Sequence, residues 1–444
     1  MKEFPKAEAL LKRLEDAGFE AYYVGGCVRD HLMGRAVHDV DITTNALPEQ
    51  TAAVFEGYKV IPTGIRHGTV TVLAEGTPYE ITTYRVDGSY SDSRRPDSVE
   101  FTPDIVQDLA RRDFTMNAIA MDIRGNIVDP FGGRGDIEHS LIRCVGEPEK
   151  RFTEDALRIM RGIRFASQLG FGIEEKTAQA IIDMRGRLSI ISRERVREEL
   201  DKLLCGKDCG KVLTDYRVII AEIIPEMVAC FGFDQFSRYH KYDVYEHIVK
   251  AVTSAPQDQL ILRRALLLHD IAKPQMFTLD ENGVGHFKGH AKVSAEMAKE
   301  ILTRLRFDNR TIALTSQLIS HHSDKIHSER QIRLMVSEFG IETFLMLMDF
   351  KKYDNCGKND FVLDENKEFD RFKVIAREFA DSGECITLSQ LAISGSDLTE
   401  LGFRGKEIGT ALAQLHSLVI IGDLPNDKQA LTNYILNEIN TTLE

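Results

Sequence analysis

The segment Tyr22-Tyr23-Val24-Gly25-Gly26-Cys27-Val28-Arg29-Asp30, with His38-Asp39-Val40-Asp41-Ile42-Thr43-Thr44 close behind, reads as strand, glycine turn, basic–acidic pair and second strand. Residues i and i+2 of a strand project from one face. Asp39 and Asp41 are therefore expected to point together, with Val40 and Ile42 in the core. Two adjacent carboxylates repel each other unless a cation lies between them. Oxygen ligands that leave room for substrate phosphates suit Mg²⁺. Gly25 and Gly26 lack Cβ atoms, so the backbone there can approach a phosphate chain.

Working outward, Ala7, Leu10, Leu11 and Leu14 have the spacing of one amphipathic helix over 5–17. Val28 to Met33 predicts a short helix whose N-terminal N–H groups face the phosphates. Residues 58–86 alternate as strands, with Gly76-Thr77-Pro78 as hairpin chemistry. Residues 87–103 carry serines, charges and a proline without a core-forming period and read as loop. Arg111-Arg112-Asp113-Phe114-Thr115-Met116-Asn117-Ala118 is expected to open a helix. Ile127-Val128-Asp129-Pro130-Phe131-Gly132-Gly133 closes this region as strand and turn.

The Gly-Gly turn, Arg29-Asp30 and Asp39-x-Asp41 together resemble the nucleotidyltransferase head of the class II tRNA nucleotidyltransferase and bacterial poly(A) polymerase family. That head belongs to the DNA polymerase beta superfamily. The resemblance implies phosphoryl transfer of a nucleotide with Mg²⁺ on Asp39 and Asp41, and Glu80 as a third carboxylate. It implies nucleotide contacts from Gly25, Gly26, Arg29, Asp30, Arg111, Arg112, Asp113, Asn117 and Arg161, with Asn117 a candidate for the ribose. The family carries a loop of similar composition at 87–103, needed for the last nucleotide added. The expected fold is an α+β head with a polymerase-beta-like mixed sheet, then an all-α neck, body, inserted domain and tail. The corresponding boundaries are 1–140, 141–238, 239–365 and 366–444.

Glu154-Asp155-Ala156-Leu157-Arg158-Ile159-Met160-Arg161 reads as one helix, which makes Asp155 and Arg158 neighbours at i and i+3. The bland reading is a salt bridge within that helix, worth tenths of a kcal/mol, about 0.3–0.5. The family's Glu-Asp-x-x-Arg motif gives the pair another role. Cytosine and adenine both show an amino donor beside a ring-nitrogen acceptor, matching a carboxylate and a guanidinium. Uracil and guanine set a carbonyl against the carboxylate, at a cost of about 1–3 kcal/mol. The pair would accept C and A without a nucleic-acid template.

From Tyr239 onward the composition changes. Ligand-type residues appear as His247, His269-Asp270, His290, His322 and Asp354, with His321 and Asp349 as rivals for the last two. The His-Asp dipeptide lies in Ala265-Leu266-Leu267-Leu268-His269-Asp270-Ile271-Ala272-Lys273-Pro274. This pattern, over roughly 240–365, resembles the HD metal-dependent phosphohydrolase superfamily. The resemblance implies one metal on His247, His269, Asp270 and Asp354, and a second on His290 and His322 with Asp270 bridging. Imidazole with carboxylate suits a transition metal such as Mn, Fe, Co or Ni. The implied chemistry is hydrolysis of a phosphomonoester or cyclic phosphate on RNA 3′ ends. Ile393-Ser394-Gly395-Ser396-Asp397-Leu398-Thr399-Glu400-Leu401-Gly402-Phe403 resembles the RNA-binding tail of the tRNA nucleotidyltransferases.

The formal charge of −13 on 444 residues argues weakly against a nucleic-acid partner, since phosphate binding needs only local cations. Such cations gather over 150–211, where Ser192 is expected to N-cap a helix rich in arginine. Seven scattered cysteines without Cys-x-x-Cys fit reduced thiols in a cytoplasm. No apolar run reaches the roughly 18 residues of a membrane span. The family resemblance implies that the partners are a tRNA 3′ end, CTP and ATP, with C, C and A added and pyrophosphate released. Poly(A) synthesis, CC-only or A-only addition, and an HD hydrolase with an RNA-binding head are the rival readings. Gly64-Ile65-Arg66-His67-Gly68-Thr69-Val70 favours the CCA-adding version. The oligomeric state stays open.

Overall fold

The computed structural model describes residues 4–64, 67–88, 98–382 and 387–442. The chain forms two compact units, Met1–Pro225 and Glu226–Glu444. The expected loop tip at 89–97, and Ile65 and Arg66, lie outside the described residues.

In the first unit, α1 (Pro5–Asp16) precedes β1 (Ala21–Val24), α2 (Gly26–Leu32), β2 (Asp41–Thr44) and α3 (Pro48–Val54). Strands β3 (Lys59–Gly64), β4 (Thr69–Ala74) and β5 (Thr77–Thr83) follow, and then the ribbon β6 (Arg85–Asp87) and β7 (Val99–Phe101). Helix α4 (Ile105–Ala110) leads to β8 (Ala120–Met121) and β9 (Ile127–Val128). The seven-stranded sheet runs β3-β4-β5-β2-β1-β8-β9. Only β2 and β5 pair in parallel, so the sheet is mixed, as the sequence predicts. Leu10, Leu11 and Leu14 of α1 pack with Tyr23, Ile42, Val72 and Ile81 into one core. Burying each such side chain contributes about 1.5–3 kcal/mol, which fixes the face that the strand carboxylates cannot occupy. Val40 and Ile42 are buried, and Asp39 and Asp41 are exposed.

Helices α5 (Gly133–Glu138), α6 (Pro148–Glu154), α7 (Leu157–Leu169), α8 (Glu175–Asp183) and α9 (Arg193–Leu204) come next. The unit ends with α10 (Cys209–Asp215) and α11 (Arg217–Ile223). Ser192 stands at the N-cap of α9 without a side-chain capping bond.

Two expectations are corrected here. Arg111 and Arg112 close α4 and do not open a helix: Asp104 caps α4 at its other end, and Phe114 is already extended. Cations at a helix C-terminus suit its dipole. Nor is 154–161 one helix. Asp155 has extended backbone between α6 and α7, and its carboxylate accepts from the Leu157 N–H at 3.0 Å. An aspartate that caps the next turn in this way competes with continuing the helix.

The second unit is helical. It contains α12 (Val244–Ser254), α13 (Leu260–Leu268), α14 (His290–Arg304), α15 (Asn309–His321), α16 (Glu329–Phe339), α17 (Ile341–Asn355) and α18 (Asn366–Asp381). Helices α12, α13, α15 and α18 all pack against α17. Three further helices, α19 (Gly395–Glu400), α20 (Lys406–Ile420) and α21 (Lys428–Thr442), share a small core of Leu398, Leu415 and Leu431.

Candidate nucleotide site and metal centre

The β1–α2 turn, the leading end of β2 and the end of α4 meet at Gly25. Its φ of +79° and its missing Cβ are both used: a Cβ there would lie 2.9 Å from Arg112 Nη1 and 4.0 Å from Asp41 Oδ2. Asp41 is in register with Glu80 across the parallel β2–β5 pair, so both carboxylates leave the sheet on one face. Asp41 keeps an exposed face, yet protein packed around it pushes its carboxyl above the usual range. Arg112 pulls it back down and Asp39 adds to the rise. Asp39 lies ahead of the strand, because only Asp41 onward finds a neighbour in β5. Asp39, Asp41 and Glu80 do not close to within 4.8 Å of one another.

Behind this face runs a chain of buried polar contacts. Arg29 grips Asp30 through Nε and Nη2 at 3.0 and 2.9 Å, and donates from Nη1 to Asn117 Oδ1 at 2.8 Å. Asn117 Nδ2 donates to Asp113 Oδ1 at 3.1 Å, and Arg161 donates to Asp113 Oδ2 at 2.8 Å. Burial would raise the Asp113 carboxyl, but Arg161, Asn117 and Arg158 hold it well below the usual range. Asp108 is fully buried and holds Arg111 at 2.8 Å and Arg112 at 3.6 Å. The sequence reading missed Asp108. Its signal was an aspartate three and four residues before two arginines.

Asp155 and Arg158 belong to separate pairs. Asp155 Oδ2 meets Arg195 Nη2 at 3.2 Å, and Arg158 Nη1 meets Glu154 Oε2 at 2.9 Å. Arg158 also donates to the Arg111 carbonyl at 2.9 Å, which ties α7 to the end of α4.

The second unit holds the tighter cluster. His247, His269, Asp270 and Asp354 bring ligand atoms within 4.8 Å of one another, as do Asp270, His290 and His322. His247 Nε2 lies 3.0 Å from both Asp270 Oδ2 and Asp354 Oδ1. His290 Nε2 stands 3.2 Å from Asp270 Oδ1 and 3.2 Å from His322 Nε2. Each imidazole turns Nδ1 to a backbone carbonyl: His247 to Gly357, His269 to Leu266, His290 to Phe287, His322 to Ile319. This leaves four Nε2 atoms pointing inward, the arrangement of metal-ligating histidines. A Cβ on Gly357 would reach 2.5 Å from the His247 ring, so glycine is required for that carbonyl contact.

Between the rivals, the structure chooses plainly. His321 pairs outward with Asp324 at 2.7 Å and Asp349 with Lys373 at 2.6 Å, so neither joins the cluster. Both oxygens of Asp270 are buried, Oδ2 lying 3.0 Å from His247 Nε2 and 2.7 Å from Lys273 Nζ, and Oδ1 3.2 Å from His290 Nε2. A carboxylate that faces imidazole nitrogens through each of its oxygens fits a residue that would serve both groups of ligand-type side chains. Burial lowers His269 but Asp270 and Asp354 outweigh it and lift it to about 9. Those carboxyls in turn lie well below their usual range. Lys273 and Lys358 contact Asp270 and Asp354 at 2.7 Å each and were not singled out in the sequence. Asp270, His290, His322 and Asp354 line a cleft of about 1410 Å³ together with Phe287, Lys325, Lys351 and Phe372.

Comparison with known proteins agrees with this division. A Poly A polymerase head domain matches 21–143, a probable RNA and SrmB-binding site of polymerase A matches 170–227, and an HD domain matches 238–350. Sheet, cluster and matches define a nucleotidyltransferase with an HD domain. The CCA-adding enzyme of Lactobacillus johnsonii is 35% identical over 436 residues, 97% of each chain. That of Lactobacillus delbrueckii subsp. bulgaricus is 55% identical over 213 residues, so the chain spans about half the length of such relatives (53% of this one). A crystal structure of the Bacillus stearothermophilus CCA-adding enzyme in complex with CTP has a TM-score of 0.75 at 31% identity, covering 99% of this chain and 98% of that one. This chain belongs to the CCA-adding enzyme family of tRNA nucleotidyltransferases.

Proposed function

We propose that the first unit adds C, C and A, without a template, to the 3′ end of tRNA from CTP and ATP. The observation that carries this is the shared face of Asp41 and Glu80, with Arg112 laid over the Gly25 turn. Asp39, Asp41 and Glu80 would hold Mg²⁺, whose chemistry is to draw charge from the α-phosphate and the attacking oxygen. Gly25 and Gly26 admit the triphosphate, and Arg111 and Arg112 offset its charge from the end of α4. Arg29, Asp113, Asn117 and Arg161 form the frame that keeps those groups in place. Asn117 retains one N–H and one lone pair for a ribose hydroxyl.

Base choice falls to Asp155 and Arg158. In the structure each has a protein partner, Arg195 and Glu154, that a cytosine or adenine edge would replace. The tRNA hydroxyl then attacks the α-phosphorus in line as the bond to the β-phosphate oxygen breaks. Positioning and charge neutralisation supply most of the rate. The test is a tRNA lacking its 3′ end, given CTP, ATP, UTP or GTP singly. CTP alone should add two residues and UTP or GTP none. Long products from ATP alone would mark a poly(A) polymerase.

The convergence of four imidazoles on Asp270 and Asp354 favours a second activity, hydrolysis of a phosphomonoester or cyclic phosphate at an RNA 3′ end. The metals there, of the Mn, Fe, Co or Ni kind, would supply Lewis-acid activation. A cytoplasmic setting agrees with Cys27, Cys144, Cys230 and Cys356 standing as thiols. No described helix is long and apolar enough to cross a membrane.

A further inference from the structure

Helix α17 carries Asp354, a residue of the first metal subsite, and a lysine that has no part in ligation. Lys351 lies three residues before Asp354 on α17, hence on the same face. Only 5% of it is exposed. Its ammonium donates to the carbonyl of His322 at 2.6 Å and to that of Asp324 at 2.7 Å. Those carbonyls follow the last turn of α15, where no amide of the helix remains to satisfy them. A buried ammonium needs such acceptors, and a helix C-terminus favours a cation. The same turn carries His322, whose Nδ1 is fixed to Ile319 O at 2.6 Å and whose Nε2 faces Asp270 Oδ1 at 3.6 Å.

We propose that Lys351 is a positioning residue for the second metal subsite: it clamps the end of α15 so that His322 faces Asp270 and His290. The inference rests on the two-metal reading of the cluster. α17 then contributes a ligand to one subsite through Asp354 and sets the geometry of the other through Lys351. A hydrophobic side chain at 351 leaves two carbonyls unpaired, and the turn is free to rotate His322 outward as His321 already is.

The test titrates the full chain with Mn²⁺ and follows bound metal and the Mn²⁺ electron paramagnetic resonance spectrum. Wild type is expected to take two ions with the broadened spectrum of a coupled pair. Lys351→Met should keep the first and bind the second about 10- to 100-fold more weakly, the usual range for a group that orients a ligand. Its spectrum should be that of a single ion. Lys351→Arg, which keeps the charge and donors, should recover part of the second binding event. Ile301→Val, which loosens the same unit further along α14, should leave both ions bound. A Lys351→Met protein that binds both ions like wild type overturns the inference, as does equal loss of both. Should that variant not fold, Lys351→Arg decides: a loss confined to the second ion supports the clamp, and an equal or absent loss overturns it. Wild type that binds no Mn²⁺ would instead remove the two-metal reading itself.

Discussion

The two candidate metal sites are built in opposite ways. In the head, Asp39, Asp41 and Glu80 stand apart on an exposed face, with Arg112 as the nearby cation. In the second unit, six ligand-type side chains converge, all buried except the half-buried His290, and carbonyl contacts hold every histidine ring. An open set of carboxylates is completed by what the substrate brings, as suits Mg²⁺ arriving with a triphosphate. A cluster of oriented imidazoles suits a resident transition metal. The comparison predicts that nucleotide addition and Mn²⁺ binding separate cleanly by mutation.

The largest effect is expected from Asp41→Ala, which should cut nucleotide addition by about 10³-fold or more and leave Mn²⁺ binding intact. Parallel extension and metal-binding assays check both halves. His269→Ala reverses the pattern. It should weaken Mn²⁺ binding beyond the roughly 100-fold typical of an outer contact and leave extension of tRNA at the wild-type rate. A variant that lost both activities would mean the units are not independent.

A smaller change sharpens the account of base choice. Asp155→Ala should shrink the preference for CTP over UTP by about 5- to 150-fold, from about 1–3 kcal/mol of unpaired polar contact. Competition between the two nucleotides at equal concentration measures it. Smallest is the effect of Asp113→Asn on stability. Arg161 depresses the Asp113 carboxyl in the folded chain, so the pair stabilises above the unfolded value of about 3.9. That contribution fades as pH falls through the lower folded value. The variant should melt about 2–4 °C below wild type at pH 7, and the gap should close in acid. A gap independent of pH would assign the loss to packing.

Much of the framework could be read from the chain because its signals are local. Gly25-Gly26, the alternation Val40/Asp41/Ile42 and the hairpin before β5 each follow from residue type and period. His269-Asp270 stood out for the same reason. What stayed hidden depends on partners distant in sequence. Asp155 turned to Arg195, 40 residues on, and Arg158 to the Arg111 carbonyl, 47 residues back. The carbonyl of His322 is held by a lysine 29 residues further on, from another helix. A periodicity argument sees neighbours at i+3 and i+4, and none of these long-range pairings.

One measurement bears most directly on the whole account: extension of a tRNA lacking its last three nucleotides, with CTP and ATP together, by wild type and by Asp41→Ala. Wild type should stop after three additions and the variant should leave the substrate unchanged. Equal extension by both proteins would show that the carboxylate beside the glycine turn does not drive nucleotide transfer.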